Sequence, residues 1–318
     1  MKVLRWRALP ALLLILALLA SCLSCAPDEG GEEGMLSFVD DLGREVSLSS
    51  SPCRVAALLG SFAEVWELAG GRVVATASDA WSDYELNLEG AVDLGGAHSP
   101  SVERLLSAEP DFVIASASTA ADLALAEVLE PLGIPIAYFD VDNFADYLRM
   151  LRTCTALTGR DDLYEQNGLA VERRINEVRA AYADRMAAGG ETVLLLRASS
   201  GSVKAKGSEG TVLGEMLADL GCVNLADREG ALLEEVNVEY VIAHEPRHIF
   251  VVTMGQNTAA AEASLTKMME ENPAWGTLEA VREDRLHLMD RALFNRKPNA
   301  RWALAYETLY QTLTGEAL

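Results

Sequence analysis

The sequence predicts an α/β protein made of two parallel-sheet lobes joined by one long helix, and three observations carry that prediction. Short, continuous apolar runs alternate with helical stretches through the first half of the chain. A long amphipathic pattern then fills the middle, with Val171, Ile175, Val178, Tyr182 and Met186 spaced by four, three, four and four residues. After Gly189-Gly190 the strand-helix alternation resumes and continues to the C-terminus.

Taken in order, Phe38 to Val46 alternates around a Gly turn and reads as a short hairpin. Arg54–Leu59 reads as a strand, 63–69 as a helix, 73–77 as a strand and 102–108 as a helix. Residues 112–115 then read as a strand, 120–132 as a helix and 136–139 as a strand. Leu148, Leu151, Cys154 and Leu157 mark a helix that stops at Gly159. The bridging helix is placed at 161–188; at ~1.5 Å per residue its length is ~39 Å, enough to run the height of a lobe. Beyond it come a strand at 192–196, a helix at 212–220, a helix at 236–243 and a strand at 249–253. A helix at 260–271, a strand at 285–289 and a closing helix at 301–313 complete the pattern. The halves are loosely similar, and no repeat of fixed period stands out.

The first 21 residues have a different character. Lys2, Arg5 and Arg7 precede the apolar run 8–20, the layout of a secretory signal too short to span a bilayer as a permanent helix. It ends in Leu19-Ala20-Ser21-Cys22, which is similar to a bacterial lipobox and makes Cys22 the expected site of lipid attachment. Cys25 completes a CxxC with no second pair. The stretch 22–35 is an acidic, Gly-rich tether. The expected body is therefore held outside the cytoplasmic membrane by lipid alone. Cys53, Cys154 and Cys222 lack ligand spacing; Cys154 and Cys222 read as core residues, with no disulfide framework.

Across 318 residues, 26 Lys and Arg stand against 48 Asp and Glu, a formal net charge of -22. Such a surface repels nucleic acid and anionic lipid, which excludes both as partners. Half the residues are hydrophobic, enough for sizeable cores. The segment His244-Glu-Pro-Arg-His248 matches the HExxH pattern of zinc peptidases, which requires a helix. Pro246 has no amide proton and disfavours the helical conformation at Glu245, and an apolar run follows His248. The two histidines are expected on a turn and at a strand entrance. A surface zinc hydrolase using them is the reading from another class, and no GxSxG, Walker A or GxGxxG after a strand points to other chemistry.

Several segments together resemble class III solute-binding proteins of ABC importers, which carry ferric siderophores, haem or cobalamin. They are Pro52 to Gly71, Ser101 to Ile114, Leu132-Gly-Ile-Pro-Ile136, Gly210 to Gly221, Pro273-Ala-Trp275, Ala280-Val281 and Arg285-Leu-His-Leu288. The resemblance runs from about Phe38 to the C-terminus. It implies two Rossmann-like lobes at 36–160 and 189–318, a rigid bridging helix, limited closure and a ligand cleft between the lobes. It also implies a monomeric carrier without resident cofactor, delivering an iron chelate, haem or corrinoid to a permease and its ATPase. One docking Glu is expected per lobe, by position Glu64 and Glu215. Ser61 and Glu64 also fit a capping box, and Glu215 lies in the first turns of its helix.

Ligands in open α/β lobes lie beyond the carboxyl ends of the strands. The residues expected there are Ser61, Phe62, Trp81, Tyr84 and His98 in the first lobe, with Ser116 and Ser118 nearby. The second lobe offers Arg197, Met254, Arg291 and Arg296. Lys204 and Lys206 read as solvated loop residues. Basic residues are scarce beside the acidic ones in this chain, so the gathering of several at second-lobe strand ends points to an anionic ligand. His98 and Met254 are the candidate ligands for a haem iron. The lack of a His-rich loop argues against a bare zinc or manganese carrier.

Overall fold

The computed structural model describes residues 35–186, 190–255 and 257–318. The signal, most of the tether, Cys22 and Cys25, and the last two positions expected in the bridging helix lie outside the described residues. Leu36–Leu318 forms one compact unit.

The chain enters through an antiparallel hairpin of β1 (Leu36–Val39) and β2 (Glu45–Leu48). The first lobe is a parallel sheet of β3 (Val55–Ala57), β4 (Val73–Thr76), β5 (Val92–Asp93), β6 (Phe112–Ser116) and β7 (Ile136–Phe139), in spatial order β5-β4-β3-β6-β7. The second contains β8 (Thr192–Ala198), β9 (Val203–Ala205), β10 (Val223–Asn224), β11 (His248–Thr253) and β12 (Leu286–Met289). Its parallel order is β10-β8-β11-β12, with β9 added antiparallel to β8. Each sheet begins in its interior and grows first one way, then the other. The switch points lie between β3 and β6 and between β8 and β11, where ligand crevices form in such sheets.

Period-two side chains divide each sheet between two cores. Leu194, Leu196, Ile249 and Val251 face an outer cluster of the second lobe. Ala56, Val113, Ala115 and Tyr138 do the same in the first. The opposite faces, with Val55, Phe112, Phe139, Val193, Leu195 and Phe250, belong to one continuous core. That core also contains Ile175, Val178 and Tyr182 of the bridging helix, and Trp302, Tyr306, Leu309, Tyr310 and Leu313 of the last helix, Trp302–Thr314. The apolar stripe read from the sequence thus faces inward, and two helices tie the lobes together.

Three elements depart from expectation. The bridge runs as Asp161–Tyr164, a π-helical turn Glu165–Leu169, and Ala170–Arg185. The expected helix 120–132 divides into Ala120–Leu123, Ala126–Leu129 and a 3₁₀ turn. There the Tyr138 hydroxyl donates to the Asp122 carbonyl at 3.0 Å, and Leu125 N–H bonds back three residues instead of four. Finally, Lys204 belongs to strand β9 rather than to a loop.

Candidate functional site

Loops leaving the carboxyl ends of the two sheets meet. After β12, the segment 290–301 of the second lobe crosses to the first. Arg296 Nη2 lies 2.5 Å from Asp83 Oδ1, and its Nη1 donates to the Asp83 carbonyl at 2.5 Å. Arg291 reaches the other Asp83 oxygen at 3.9 Å. Asn299, fully buried in a left-handed conformation (φ 54°), donates to the Ser61 carbonyl at 3.0 Å and to Glu64 Oε2 at 2.6 Å. Lys297 feels Asp142, Asp140 and Asp146 at the end of β7, while burial pushes its ammonium pKa down.

The first-lobe side of this meeting is rigidly built. Asp79 accepts the Gly60 N–H at 3.0 Å, joining the turn after β4 to the helix after β3. A Cβ on Gly60 would come 2.5 Å from the Ala80 nitrogen, so only glycine permits the approach. Burial raises the Tyr84 phenol pKa, with Asp79 and Glu64 adding to the effect.

On the β9 and β10 side of β8, Arg197 and Lys206 line a cavity of 850 Å³, closed on one side by Gly207 to Thr211 and by Glu215. Burial lowers the pKa of both bases, and for Lys206 the neighbouring Arg197 and Lys204 add to the effect. The buried Nε atoms of Arg197, Arg291, Arg296 and Arg301 have no partner among the described residues. Each unsatisfied buried donor costs about 1–3 kcal/mol, more when charged. An anion seated against these guanidinium groups would recover that cost, and carboxylates match their fork geometry.

The expected ligand residues fall into three groups. Arg197, Arg291, Arg296 and Tyr84 are half-buried where the lobes meet or at the adjoining cavity. Ser61 lies behind them, 4% exposed, with its carbonyl taken by Asn299. Phe62 is not in the site: it is 1% exposed and packs edge-on against Phe139 at 6.5 Å. The helix starts at Gly60, immediately after Leu59, so position 62 turns into the core instead of lying on a loop. Trp81 packs partly against the main core. His98 is exposed, and Met254 is half exposed just beyond β11.

Glu64 and Glu215 also differ from expectation. Leu59, not Ser61, is the N-cap residue, so no capping box forms. Glu64 is half-buried and committed to Asn299, and its pKa is raised by burial. Glu215 accepts the Gly210 N–H at 3.3 Å and sits near Asp142 and Asp146 of the other lobe. Both carboxylates face the inter-lobe region and not a free outer surface.

The structure shows a matched pair that the sequence reading missed. Ser101-Val-Glu-Arg-Leu-Leu-Ser-Ala-Glu-Pro-Asp-Phe-Val-Ile114 and Asn237-Val-Glu-Tyr-Val-Ile-Ala-His-Glu-Pro-Arg-His-Ile-Phe250 build the same helix-turn-strand unit, one in each lobe. Ser101 caps its helix through the Arg104 N–H, and Asn237 caps through the Tyr240 N–H. Glu109 and Glu245, each before a proline, both take the left-handed conformation, with φ of 47° and 41°. Glu103 and Glu239 therefore occupy the same second helical position, exposed at helix N-termini near the carboxyl ends of the strands. The Val-Glu and Glu-Pro pairs at equal spacing were the available signal. The HExxH motif falls inside this unit. His244 ends its helix stacked on Tyr240 at 4.0 Å, while His248 opens β11 and contacts His287 at 2.9 Å, so the two imidazoles do not converge.

Two lobes, a helical bridge and a polar inter-lobe site define a solute-binding protein. The chain belongs to the periplasmic binding protein family, whose model matches residues 55–293. It is 22% identical over 299 residues to a Bacillus subtilis protein named as an ABC transporter substrate-binding lipoprotein, YhfQ, covering 89% of this chain and 90% of that one. Among solved structures it is similar to Staphylococcus aureus SirA complexed with staphyloferrin B, with a TM-score of 0.69 and 18% identity over 87% of this chain and 98% of that one. The vitamin B12 binding protein BtuF of Vibrio cholerae gives a TM-score of 0.65 and 19% identity over 83% and 97%. At these identities the structural likeness speaks for the fold.

Proposed function

We propose that the chain is the extracytoplasmic, lipid-anchored solute-binding component of an ABC importer, and that its cargo is an anionic iron chelate of the ferric-siderophore type. The observation carrying this reading is the set of inter-lobe and cavity arginines whose Nε donors lack partners. YhfQ's name and the staphyloferrin B held by SirA agree with it. Lipidation at Cys22 and lobe limits at 36–160 and 189–318 are part of the same proposal. Titration of intrinsic tryptophan fluorescence should saturate with ferric carboxylate chelates and not with haem or cobalamin. Saturation with haem or cobalamin alone overturns the anionic-chelate reading.

The docking acids are assigned here to Glu103 and Glu239 in place of Glu64 and Glu215. They are exposed, equivalent in the two lobes, and available to arginines of a permease. The double variant Glu103→Ala/Glu239→Ala should bind cargo as the wild type does, while uptake through the native transporter falls at least tenfold, roughly the effect of 1.4 kcal/mol. Intact uptake rules the pair out.

A further inference from the structure

Among the described residues, Asp83 is the one first-lobe carboxylate paired with both Arg291 and Arg296. The two side chains of the Arg296 pair are each 15% exposed. Asp79 also acts on Arg296 from the neighbouring turn, yet Asp83 is the carboxylate that touches both guanidinium groups, and each arginine still has an unpartnered Nε. Arg291 is held only at 3.9 Å, the outer limit of an ion pair. The seat is therefore occupied yet incompletely satisfied, and a larger anion with several oxygens would satisfy it better.

We propose that Asp83 is a built-in stand-in for the anionic group of the cargo, filling the Arg291–Arg296 seat until a carboxylate of the incoming chelate displaces it. The inference rests on the anionic cargo proposed above. Three features favour exchange over a plain strap. Asn299 already joins this segment to the first lobe through Ser61 and Glu64, so the lobes stay attached without Asp83. The backbone carrying Asp83 is fixed by the Asp79–Gly60 bond and the close Gly60–Ala80 approach, so the carboxylate leaves by side-chain rotation alone. Arg296 also keeps its bond to the Asp83 carbonyl, which holds the guanidinium in place while its other edge changes partner.

The test compares wild type, Asp83→Asn and Asp83→Glu. Ferric citrate, a polycarboxylate iron chelate, should bind Asp83→Asn about tenfold more tightly than wild type, the size of one removed competitor. Where wild type binds ferric citrate, equal or weaker binding by Asp83→Asn overturns the proposal. A cargo-free readout is the rate at which phenylglyoxal modifies Arg291 and Arg296, followed by peptide mass. It should rise several-fold in Asp83→Asn and return toward the wild-type rate in Asp83→Glu, which keeps the charge. Equal rates in all three overturn the proposal even if every protein folds. Faster modification without ferric citrate binding keeps Asp83 as the occupant of the seat and places the failure in the proposed cargo.

Discussion

His248 shows how burial turns a single side chain into a pH-dependent contribution. It is 3% exposed, and burial, His287, Arg247 and Arg285 together push its pKa down from 6.5 to about 4. Glu191, at 3.6 Å, is the carboxylate facing it. Because the folded pKa lies below the unfolded one, the unfolded chain takes up the proton first as pH falls. Stability from this residue is intact above about 6.5 and is lost on the way down to about 4. Asp122 works in the opposite direction: burial raises its carboxyl to about 6, so its favourable contribution is present at low pH and is lost as pH rises through that value. A His248→Gln variant should therefore show a weaker loss of melting temperature between pH 6.5 and 4, by the equivalent of roughly 2 kcal/mol. An unchanged pH slope would exclude His248 as the group responsible. At this scale the sequence identified arginines at strand ends, because charge following an apolar run is conspicuous. It misplaced Phe62, because one residue's difference in where a helix begins rotates a side chain from cleft to core. It missed Asp83 and Asn299, whose roles depend on partners more than two hundred positions away.

Among elements, the strands were the most legible. The strand 136–139 was read with the bounds β7 has, because a β-branched and aromatic run between Pro135 and Asp140 leaves little choice. The bridging helix was legible as a stripe but not in its turn geometry. A π turn inserts without disturbing the apolar residues on either side of it. Its cause is tertiary: Tyr147 donates its hydroxyl to the Asn167 carbonyl at 2.9 Å, and the Asn167 amide donates to the Leu68 carbonyl at 2.8 Å. Gly168 fits beneath, where a Cβ would stand 3.0 Å from Leu148. Removing the buried hydroxyl with Tyr147→Phe deletes its bond to the Asn167 carbonyl and should cost about 1–2 kcal/mol. Urea unfolding should show a lower midpoint with an unchanged slope; an unmoved midpoint would mean the wide turn is held by something else.

For the whole molecule, the shared core decides how far the lobes can move. Val55 of the first sheet and Val193 of the second belong to the same packed cluster, continuous through the bridging and closing helices. Opening the lobes widely would break that packing, whereas sliding loops at the strand ends would not. Small-angle scattering with and without saturating cargo should therefore show a change in radius of gyration below about 1 Å. A change of several ångström would show that the two helices act as a hinge. The two-lobed plan was readable because the hydrophobic rhythm changes twice, at about 144 and about 190. That the lobes share one core was not, since period alone does not say which faces meet.

The carboxylate of Asp83 never leaves the neighbourhood of its arginines, so it competes at a fixed local concentration, whatever the medium contains. Dilute cargo must outcompete a resident, which sets a lower bound on the concentration worth capturing. Handover gains from the same arrangement, because the vacated arginines are refilled at once and the emptied carrier is slow to take its load back.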